Sequence, residues 1–331
     1  IRVNDETSHF DYLSSHARTN LKLGYLVQGK ITHPYSLALQ DLCNLFVIGE
    51  RAVDIYYTLL LQLCDDNKIP VIVLTNRDSD GYEDQVCETP FWHLDLEADQ
   101  VNFDLFDLGG EVHPSRQVTI LIELLTSFSP LSPTAKNLLH IIIWKMFFTT
   151  NKPTLKNLQK LLDNYRHHIS QYQEICHLLS VIPKNYFEIT YDNINLLHLQ
   201  RLPTIITAPK NQFNQIDVNL LLLKLLSNAR TSLPPLFLMD PPPINSQLFQ
   251  WLCIRYVELG GLLVLFDSMD SISHIETHNF PNIILSAQRG PVSSSLRSEF
   301  NLDELRHLEI FDDQVAVRLH NESTTRFVTI F

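Results

Sequence analysis

The fold is decided by the sequence LFVIGERAVDIYYTLLLQLCDD at residues 45–66, followed by PVIVL at residues 70–74. Its first four residues are apolar and end at Gly49, which is typical of a central parallel strand buried on both faces. The next segment has the spacing of an amphipathic helix, whose apolar face comprises Ile55, Leu59, Leu60 and Leu63. We therefore predict a βαβ unit over residues 45–74, and with it a parallel sheet.

Shorter patterns lie on either side of this unit. Residues 1–20 are polar and have no clean period, so we expect an arm or connector there. The sequence LKLGYLVQGK at residues 21–30 alternates between apolar and polar positions and holds two glycines, which predicts a short strand pair. Residues 78–100 are acidic and irregular, which predicts a surface excursion.

The middle of the chain has a helical period. Apolar residues recur at three- and four-residue spacing over residues 117–128 and 134–148, and Pro153 opens a further helix. We therefore predict that residues 116–182 form an all-helical insertion that interrupts the α/β pattern.

The α/β pattern resumes beyond the insertion. Apolar runs predict strands at residues 204–206, 236–239, 262–266 and 282–285, and helices at residues 218–226 and 246–259. Gly260 and Gly261 are typical of the end of the second helix. Residues 315–319 and 326–330 are expected to form a β-hairpin.

These patterns together predict the α/β fold class: a mostly parallel sheet with an all-helical insertion and a C-terminal β-hairpin. We expect four segments along the chain. They are an arm at residues 1–20, the first part of the α/β core at 21–115, the helical insertion at 116–200 and the second part of the core at 201–331.

Composition restricts the classes of function. The chain of 331 residues has a formal net charge of −12 and no run of four Lys or Arg, so a surface that grips DNA over a broad area is not indicated. A ring with a few DNA-binding pore loops remains compatible with this charge. The five cysteines are scattered without CxxC spacing, which predicts free thiols in a reducing, cytoplasmic compartment and neither a zinc site nor a disulfide framework. No apolar run reaches transmembrane length, so we expect no membrane partner.

A strand that ends in glycine and leads into a helix is where a phosphate-binding P-loop lies. The working motif is G-x-x-x-x-G-K-S/T, in which the second glycine lets the backbone wrap the phosphates, the Lys neutralises them and the hydroxyl binds Mg²⁺. In this chain only the first glycine, Gly49, is present. Asp54 takes the place of the second glycine, Ile55 that of the Lys, and Tyr56 that of the Ser or Thr.

These replacements oppose triphosphate binding. A carboxylate at Asp54 would repel each phosphate charge at ~4 Å by about 1 kcal/mol in water-like surroundings and about 4 kcal/mol at an effective dielectric constant of 20. Ile55 supplies no cation, and Tyr56 is large where a small Mg²⁺ ligand is needed. Arg51 offers a positive charge at a different place in the loop, next to Glu50.

Three phrases of the sequence resemble the HerA, FtsK and conjugation-type ATPases. The first is the run-up to Gly49, which contains LGY at residues 23–25, PYSL at 34–37 and DLCNLFVIG at 41–49. The others are VNFDLFDL at residues 101–108 and PLFLMD at residues 235–240. Their order and spacing, over roughly residues 21–331, carry the resemblance. It implies a RecA-like P-loop NTPase fold, hexameric rings and translocation of DNA.

The same resemblance identifies further catalytic positions. The family's Walker B strand ends in Asp-Glu, where the Asp helps to hold Mg²⁺ and the Glu polarises the attacking water. Here Asp240 remains, but Pro241 replaces the Glu, and the strand at residues 262–266 is followed by Asp267 and Ser268 in place of the family's polar sensor. Loss at the P-loop, the base and the sensor together predicts a pseudoenzyme.

Simpler interpretations stay open for each of these features. The segment from Gly49 to Tyr56 is also compatible with an ordinary turn between a strand and a helix. Asp240 is also compatible with a cap on the turn after its strand, and Asp54 suits a solvated helix start, where the helix dipole favours a negative charge. The pair His167 and His168 has no carboxylate or Cys at metal-ligand spacing, so we predict no metal site there.

Three hypotheses follow from the sequence. The first is a catalytically inactive ATPase-fold subunit that acts as a scaffold or adaptor in a homo- or hetero-oligomer with a protein partner, and that needs no cofactor. The second is a divergent active ATPase that drives DNA or protein translocation with substitute residues such as Glu50 and Arg51, and that binds ATP and Mg²⁺ weakly. The third is an acidic partner-binding module without a ring.

Overall fold

A computed structural model describes most of the chain. The described residues are 19–28, 31–75, 82–96, 106, 114–149, 153–182, 201–207, 212–227, 233–239, 247–267, 281–286, 314–320 and 325–330.

The strands of the described residues form one mixed sheet. They are β1 (Asn20–Gln28), β2 (Ile31–Ala38), β3 (Leu45–Ile48), β4 (Ile72–Thr75), β5 (Trp92–Asp95), β6 (Thr204–Thr207), β7 (Leu236–Met239), β8 (Leu263–Asp267), β9 (Asn282–Ser286), β10 (Gln314–Arg318) and β11 (Arg326–Ile330). Their order across the sheet is β2-β1-β11-β10-β9-β3-β8-β7-β4-β6-β5. The block from β9 to β5 is parallel, and β10, β11, β1 and β2 extend it antiparallel on one side.

The helices fall between the strands. They are α1 (Ala52–Leu61), α2 (Tyr82–Val86), α3 (Pro114–Phe128), α4 (Pro133–Thr149), α5 (Leu155–Leu162), α6 (Ile169–Val181), α7 (Gln212–Ser227) and α8 (Gln247–Glu258). A π-helical turn over Gln62–Asp66 continues α1. The N-terminus of α5 is capped by Thr154, whose hydroxyl accepts a hydrogen bond from the amide of Asn157.

The central strands are apolar because both faces of the sheet are covered there. All four residues of β3 and of β4 are buried, and so are those of β6 and β7. Burying one such side chain stabilises the fold by about 1.5–3 kcal/mol. Helix α1 contributes Ile55, Tyr56 and Leu59 to the same core, so the strand, the helix and the following strand share one apolar interior.

Asn282 is a buried polar side chain that holds the segment before β3 in place. Its side-chain amide donates to the carbonyl oxygens of Asp41 at 3.0 Å and Cys43 at 2.9 Å. Its side-chain oxygen accepts a hydrogen bond of 2.8 Å from the amide of His320. One side chain at the start of β9 therefore ties the entry to β3 to the end of β10.

The predicted fold class is confirmed. The βαβ unit appears as β3, α1 and β4, with β8 and β7 lying between its two strands, and the C-terminal hairpin appears as β10 and β11. The strands predicted at residues 204–206, 236–239, 262–266 and 282–285 are also present, within one residue of the predicted starts.

Two local predictions were wrong. Residues 21–28 do not contain a strand pair, because they belong to the single strand β1, which pairs with β2. Residues 78–100 are not only a surface excursion, because they contain α2 and the edge strand β5. Among the strands that the structure describes, β5 pairs with β6 alone, so it is half-buried and tolerates the polar residues His93 and Asp95.

The chain divides into two compact units. The first comprises residues 1–95, 197–210 and 230–331, and it contains the described sheet. The second comprises residues 96–196 and 211–229. Helix α7 therefore groups with α3 to α6, although it directly follows β6 in sequence. The boundaries that we expect at residues 116 and 200 stay predictions.

Gly24 allows β1 to pair closely with β11, and we expect the substitution Gly24→Ala to destabilise the sheet. A Cβ at this position would overlap the carbonyl oxygen of Thr329 and lie 2.8 Å from its carbon. The opposing group is backbone, so it has little freedom to move. We expect the free energy of unfolding to fall by about 1–3 kcal/mol, measured by urea denaturation.

The control Val27→Thr, at a side chain that is 54% exposed in the same strand, should change the free energy of unfolding by less than about 0.5 kcal/mol. Equal midpoints for the two variants would contradict the expected clash.

Candidate functional site

The turn between β3 and α1 is the place where a P-loop would lie. Gly49 has a φ of 108°, which an L-amino acid with a side chain rarely adopts. Only Gly49, Glu50 and Arg51 separate the end of β3 from Ala52, where α1 begins. The amide of Ala52 donates to the carbonyl oxygen of Gly49 at 3.0 Å, so a backbone hydrogen bond spans the turn.

Ser286 fastens this turn to the neighbouring strand. Its hydroxyl donates to the carbonyl oxygen of Ile48 at 3.1 Å and accepts a hydrogen bond of 3.0 Å from the amide of Arg51. Ser286 is fully buried at the end of β9, which pairs with β3. Our sequence interpretation missed this residue. The only signal was its position directly after the apolar run of a predicted strand.

Arg51 and Asp54 form an ion pair on the outside of the turn. The guanidinium of Arg51 lies 2.7 Å from the carboxylate of Asp54, and both side chains are about half-exposed. An exposed pair of this kind stabilises a protein by about 0–1 kcal/mol. Its effect on the turn is electrostatic, because the positive charge of Arg51 lies next to the negative charge of Asp54. Glu50 is exposed beside them.

Ile55 and Tyr56 point into the core and not toward a ligand. Each is 1% exposed. The ring of Tyr56 packs edge-on against Phe266 at a centroid distance of 5.3 Å and against Phe237 at 6.2 Å. The positions that a P-loop gives to its Lys and its Ser or Thr therefore serve as packing positions of α1.

The hydroxyl of Tyr56 finds a partner in a buried carboxylate. It donates to Oε1 of Glu83 on α2 at 3.2 Å, and Glu83 is itself buried. Burial, and next the negative charge of Glu83, raise the pKa of Tyr56 well above its ordinary range. The hydroxyl consequently stays protonated and keeps donating to the carboxylate. Nothing in the spacing of the sequence indicated that Glu83 meets Tyr56.

The structure describes only some of the remaining predicted site residues. Strand β7 is present where the resemblance located a Walker B strand, but Asp240 and Pro241 lie outside the described residues. Strand β8 lies between β7 and β3, so β7 and β3 are about 10 Å apart. His167 and His168 are exposed, with their rings 4.2 Å apart, between α5 and α6.

Other reactive chemistry has little support among the described residues. Within that part of the chain, no three His, Cys, Asp or Glu side chains converge to hold a metal ion. Burial raises the pKa of the Cys64 thiol to about 12 and that of Cys87 to about 11, so both remain protonated and poorly nucleophilic at neutral pH. None of the described helices combines the length and apolar character that crossing a membrane requires.

Comparison with known proteins supports the fold. No protein-family model matches the sequence, and no curated protein matches it. The structure is similar to VirB4 of Thermoanaerobacter pseudethanolicus, with a TM-score of 0.67, 11% identity and coverage of 95% of this chain and 96% of that one.

A second similar structure is the plasmid coupling protein TrwB in complex with the non-hydrolysable ATP analogue ADPNP. The TM-score is 0.53, with 12% identity and coverage of 95% of this chain and 94% of that one. TrwB in complex with ADP and Mg²⁺ gives a TM-score of 0.52, 11% identity and coverage of 96% and 91%. The chain thus has the RecA-like P-loop NTPase fold of these proteins, and the predicted resemblance is confirmed at the level of the fold.

Loss of the Ser286 hydroxyl should loosen the β3–α1 turn. We expect Ser286→Ala to lower the free energy of unfolding by about 1 kcal/mol, because the amide of Arg51 and the carbonyl of Ile48 each lose a partner. Amide hydrogen exchange in a peptide covering residues 48–55 should become faster. Ser180→Ala is the matched control, since that hydroxyl is exposed and donates only within α6. Unchanged exchange at the turn would show that the hydroxyl does not hold it.

The hydrogen bond from Tyr56 to Glu83 should be visible in the pH dependence of stability. At pH 7 we expect Tyr56→Phe to lower the free energy of unfolding by about 1–3 kcal/mol, because it leaves a buried carboxylate without its donor. Since folding raises the pKa of Tyr56, its contribution is complete below the unfolded value of about 10 and is lost as the pH rises above it. The difference between wild type and variant should therefore shrink above about pH 10 in urea titrations.

The matched control for this pair is Tyr165→Phe, at a partly exposed tyrosine of the helical unit. It should not show the loss of stability at pH 7. A constant difference between wild type and Tyr56→Phe from pH 7 to pH 11 would contradict the raised pKa of Tyr56.

Proposed function

We propose that the chain is a catalytically inactive relative of the HerA/FtsK-type ATPases that acts as a structural or adaptor subunit of a larger assembly. The observation that carries this proposal is the β3–α1 turn. Helix α1 begins at Ala52, so Asp54, Ile55 and Tyr56 all lie within the helix and not in a loop around a ligand.

The backbone of this turn supports the proposal. A P-loop binds phosphates with consecutive backbone amides between the strand and the helix, together with the positive end of the helix dipole. Here the amide of Arg51 bonds to Ser286, that of Ala52 to Gly49 and that of Ile55 to Arg51. A phosphate would have to displace these bonds to reach the amides of Arg51, Ala52 and Ile55.

The side chains support it as well. Ile55 is in the core, where even a lysine introduced by substitution would bury an ammonium group at high cost. Tyr56 packs against Phe237 and Phe266 and donates to Glu83, so a Mg²⁺ ligand at this position would require the core to rearrange. Arg51, the cation of the turn itself, is paired with Asp54.

The fold supports an assembly. By resemblance to ring-forming ATPases we propose a homo- or hetero-oligomer, hexameric in the simplest case, in the cytoplasm. Its contacts would be with a protein partner, and any contact with DNA would come from a few loops, because the chain carries a net charge of −12. In such an assembly the chain would contribute shape and contacts without turning over nucleotide.

A second candidate function is a divergent ATPase that drives translocation of DNA or protein. It is favoured by one finding: TrwB, which has the same fold, has been solved with ADPNP and with ADP and Mg²⁺. In this chain Glu50, Arg51 and Asp240 would have to replace the usual P-loop and Walker B chemistry.

The two candidates predict opposite results in one hydrolysis assay. We expect purified protein with Mg²⁺ and ATP to release no phosphate above the blank, with or without single- or double-stranded DNA, because Ile55 supplies no cation at the Lys position and Pro241 supplies no general base at the Glu position. The variants Asp240→Ala and Arg51→Ala should therefore match the wild type. DNA-stimulated turnover that Asp240→Ala abolishes would establish the second candidate and overturn the first.

A further inference from the structure

Helix α4 of the helical unit has two contrasting faces. One face is buried and contains Ala135, Leu138, Leu139, Ile142, Ile143 and Met146. The opposite face exposes large apolar side chains at helical spacing: Ile141 is 53% exposed, Trp144 37% and Phe148 62%. We call this face, together with His140, the aromatic stripe. Exposed apolar side chains grouped in this way mark interaction sites more often than isolated ones do.

The rings of the aromatic stripe are ordered against one another. The centroids of Trp144 and Phe148 are 4.8 Å apart, and His140 stacks on Trp144 at 6.4 Å with the two planes 9° apart. These residues follow each other at four-residue spacing, so the rings form a continuous row along the helix. A row that is already ordered loses little conformational entropy when a partner covers it.

The charge beside the stripe is opposite to that of the whole chain. Helix α4 contains Lys136, His140 and Lys145 and has no Asp or Glu, whereas the chain carries a net charge of −12. Both lysines are exposed, and among the residues that the structure describes neither forms an ion pair. A partner that covers the apolar centre would therefore meet positive charge along its edges.

We propose that the aromatic stripe is a docking site for an acidic amphipathic helix of a protein partner. Apolar anchors of such a helix would lie on Ile141, Trp144 and Phe148, and its carboxylates would face Lys136 and Lys145. The stripe extends about 10 Å from Ile141 to Phe148, which is two helical turns and suits anchors at i, i+3 or i+4 and i+7. The proposal holds whether or not the chain binds nucleotide.

Two other occupants fit less well. Nucleic acid binding depends on neutralising many phosphates, and two lysines and one histidine on an acidic chain provide little of this. A symmetric contact between two copies of the stripe would place Lys136 and Lys145 against cations of the same kind. An acidic amphipathic helix satisfies the apolar centre and the positive edges together.

The test is a selection from a display library of random 16-residue helical peptides, with the whole chain as bait. Peptides retained by the wild type and not by Trp144→Ala are sequenced, and the most enriched one is synthesised with a fluorescent label for anisotropy titration. We expect the retained peptides to contain more Asp and Glu than the starting library, with apolar residues at three- and four-residue spacing.

Variants then locate the binding site of the synthetic peptide. Trp144→Ala and Phe148→Ala should each weaken binding at least about tenfold, as truncation of a central aromatic anchor does. Lys145→Glu should weaken it roughly fivefold, with the loss reduced at high salt. The matched controls are Ile169→Ala, at a side chain of α6 that is 66% exposed, and Lys156→Glu on α5, and both should bind as the wild type does.

Circular dichroism and the melting temperature of each variant establish that the fold is kept, as expected for exposed positions. The proposal is overturned if no peptide is enriched over the Trp144→Ala bait, or if the enriched peptides are neutral or basic. It is also overturned if sedimentation shows a self-association that Trp144→Ala abolishes, which would make a second copy the occupant. Tighter binding of a labelled oligothymidine than of the peptide, lost in the same variant, would assign the stripe to nucleic acid.

Discussion

The structure depends on how closely α1 follows β3. Gly49 adopts a backbone conformation with positive φ, and after two more residues the helix has begun. This short connection determines which positions of α1 face the sheet. Ile55 and Tyr56 face it and enter the apolar core, and Asp54 faces the solvent. The same positions in a P-loop would belong to the phosphate-binding loop and the start of its helix.

Three polar side chains that this arrangement buries are paired within the chain. Ser286 joins the end of β3 to the turn, Asn282 joins the segment before β3 to β10, and Glu83 accepts the hydrogen bond of Tyr56. A buried polar group without a partner lowers the stability of the fold by about 1–3 kcal/mol. The core can therefore pack in this way because these groups are paired. An active nucleotide site needs the reverse, namely polar groups and backbone amides that are held open for a ligand. These three pairs therefore stabilise the packing of the first unit around the β3–α1 turn.

The helical unit adds a different property to the chain. Its helix α4 buries one face and leaves an ordered aromatic row with positive edges on the other. An acidic protein with one such face can discriminate between partners by charge as well as by apolar contact. If both proposals hold, a framework that does not turn over nucleotide and a docking face for a partner would be complementary parts of an adaptor.

The sequence by itself determined the fold class, because apolar runs and helical periods can be recognised without knowing which segments are neighbours in space. Strands β3, β4, β7 and β9 are apolar on both faces, and α3 and α4 have a clear three- and four-residue period, so all were predicted. The sequence also offered candidates for the residues that replace those of a P-loop, because that comparison needs only their order along the chain, and this assignment stays a prediction.

Only the tertiary structure decided where these residues lie. Strand β5 was missed because an edge strand is half-exposed and carries no continuous apolar run. Ser286 meets the turn at Arg51 only because β9 pairs with β3, and Glu83 meets Tyr56 only because α2 packs beside α1. Such contacts join residues that are distant in sequence, and no local period encodes them, because pairing across a sheet depends on the topology of the whole chain.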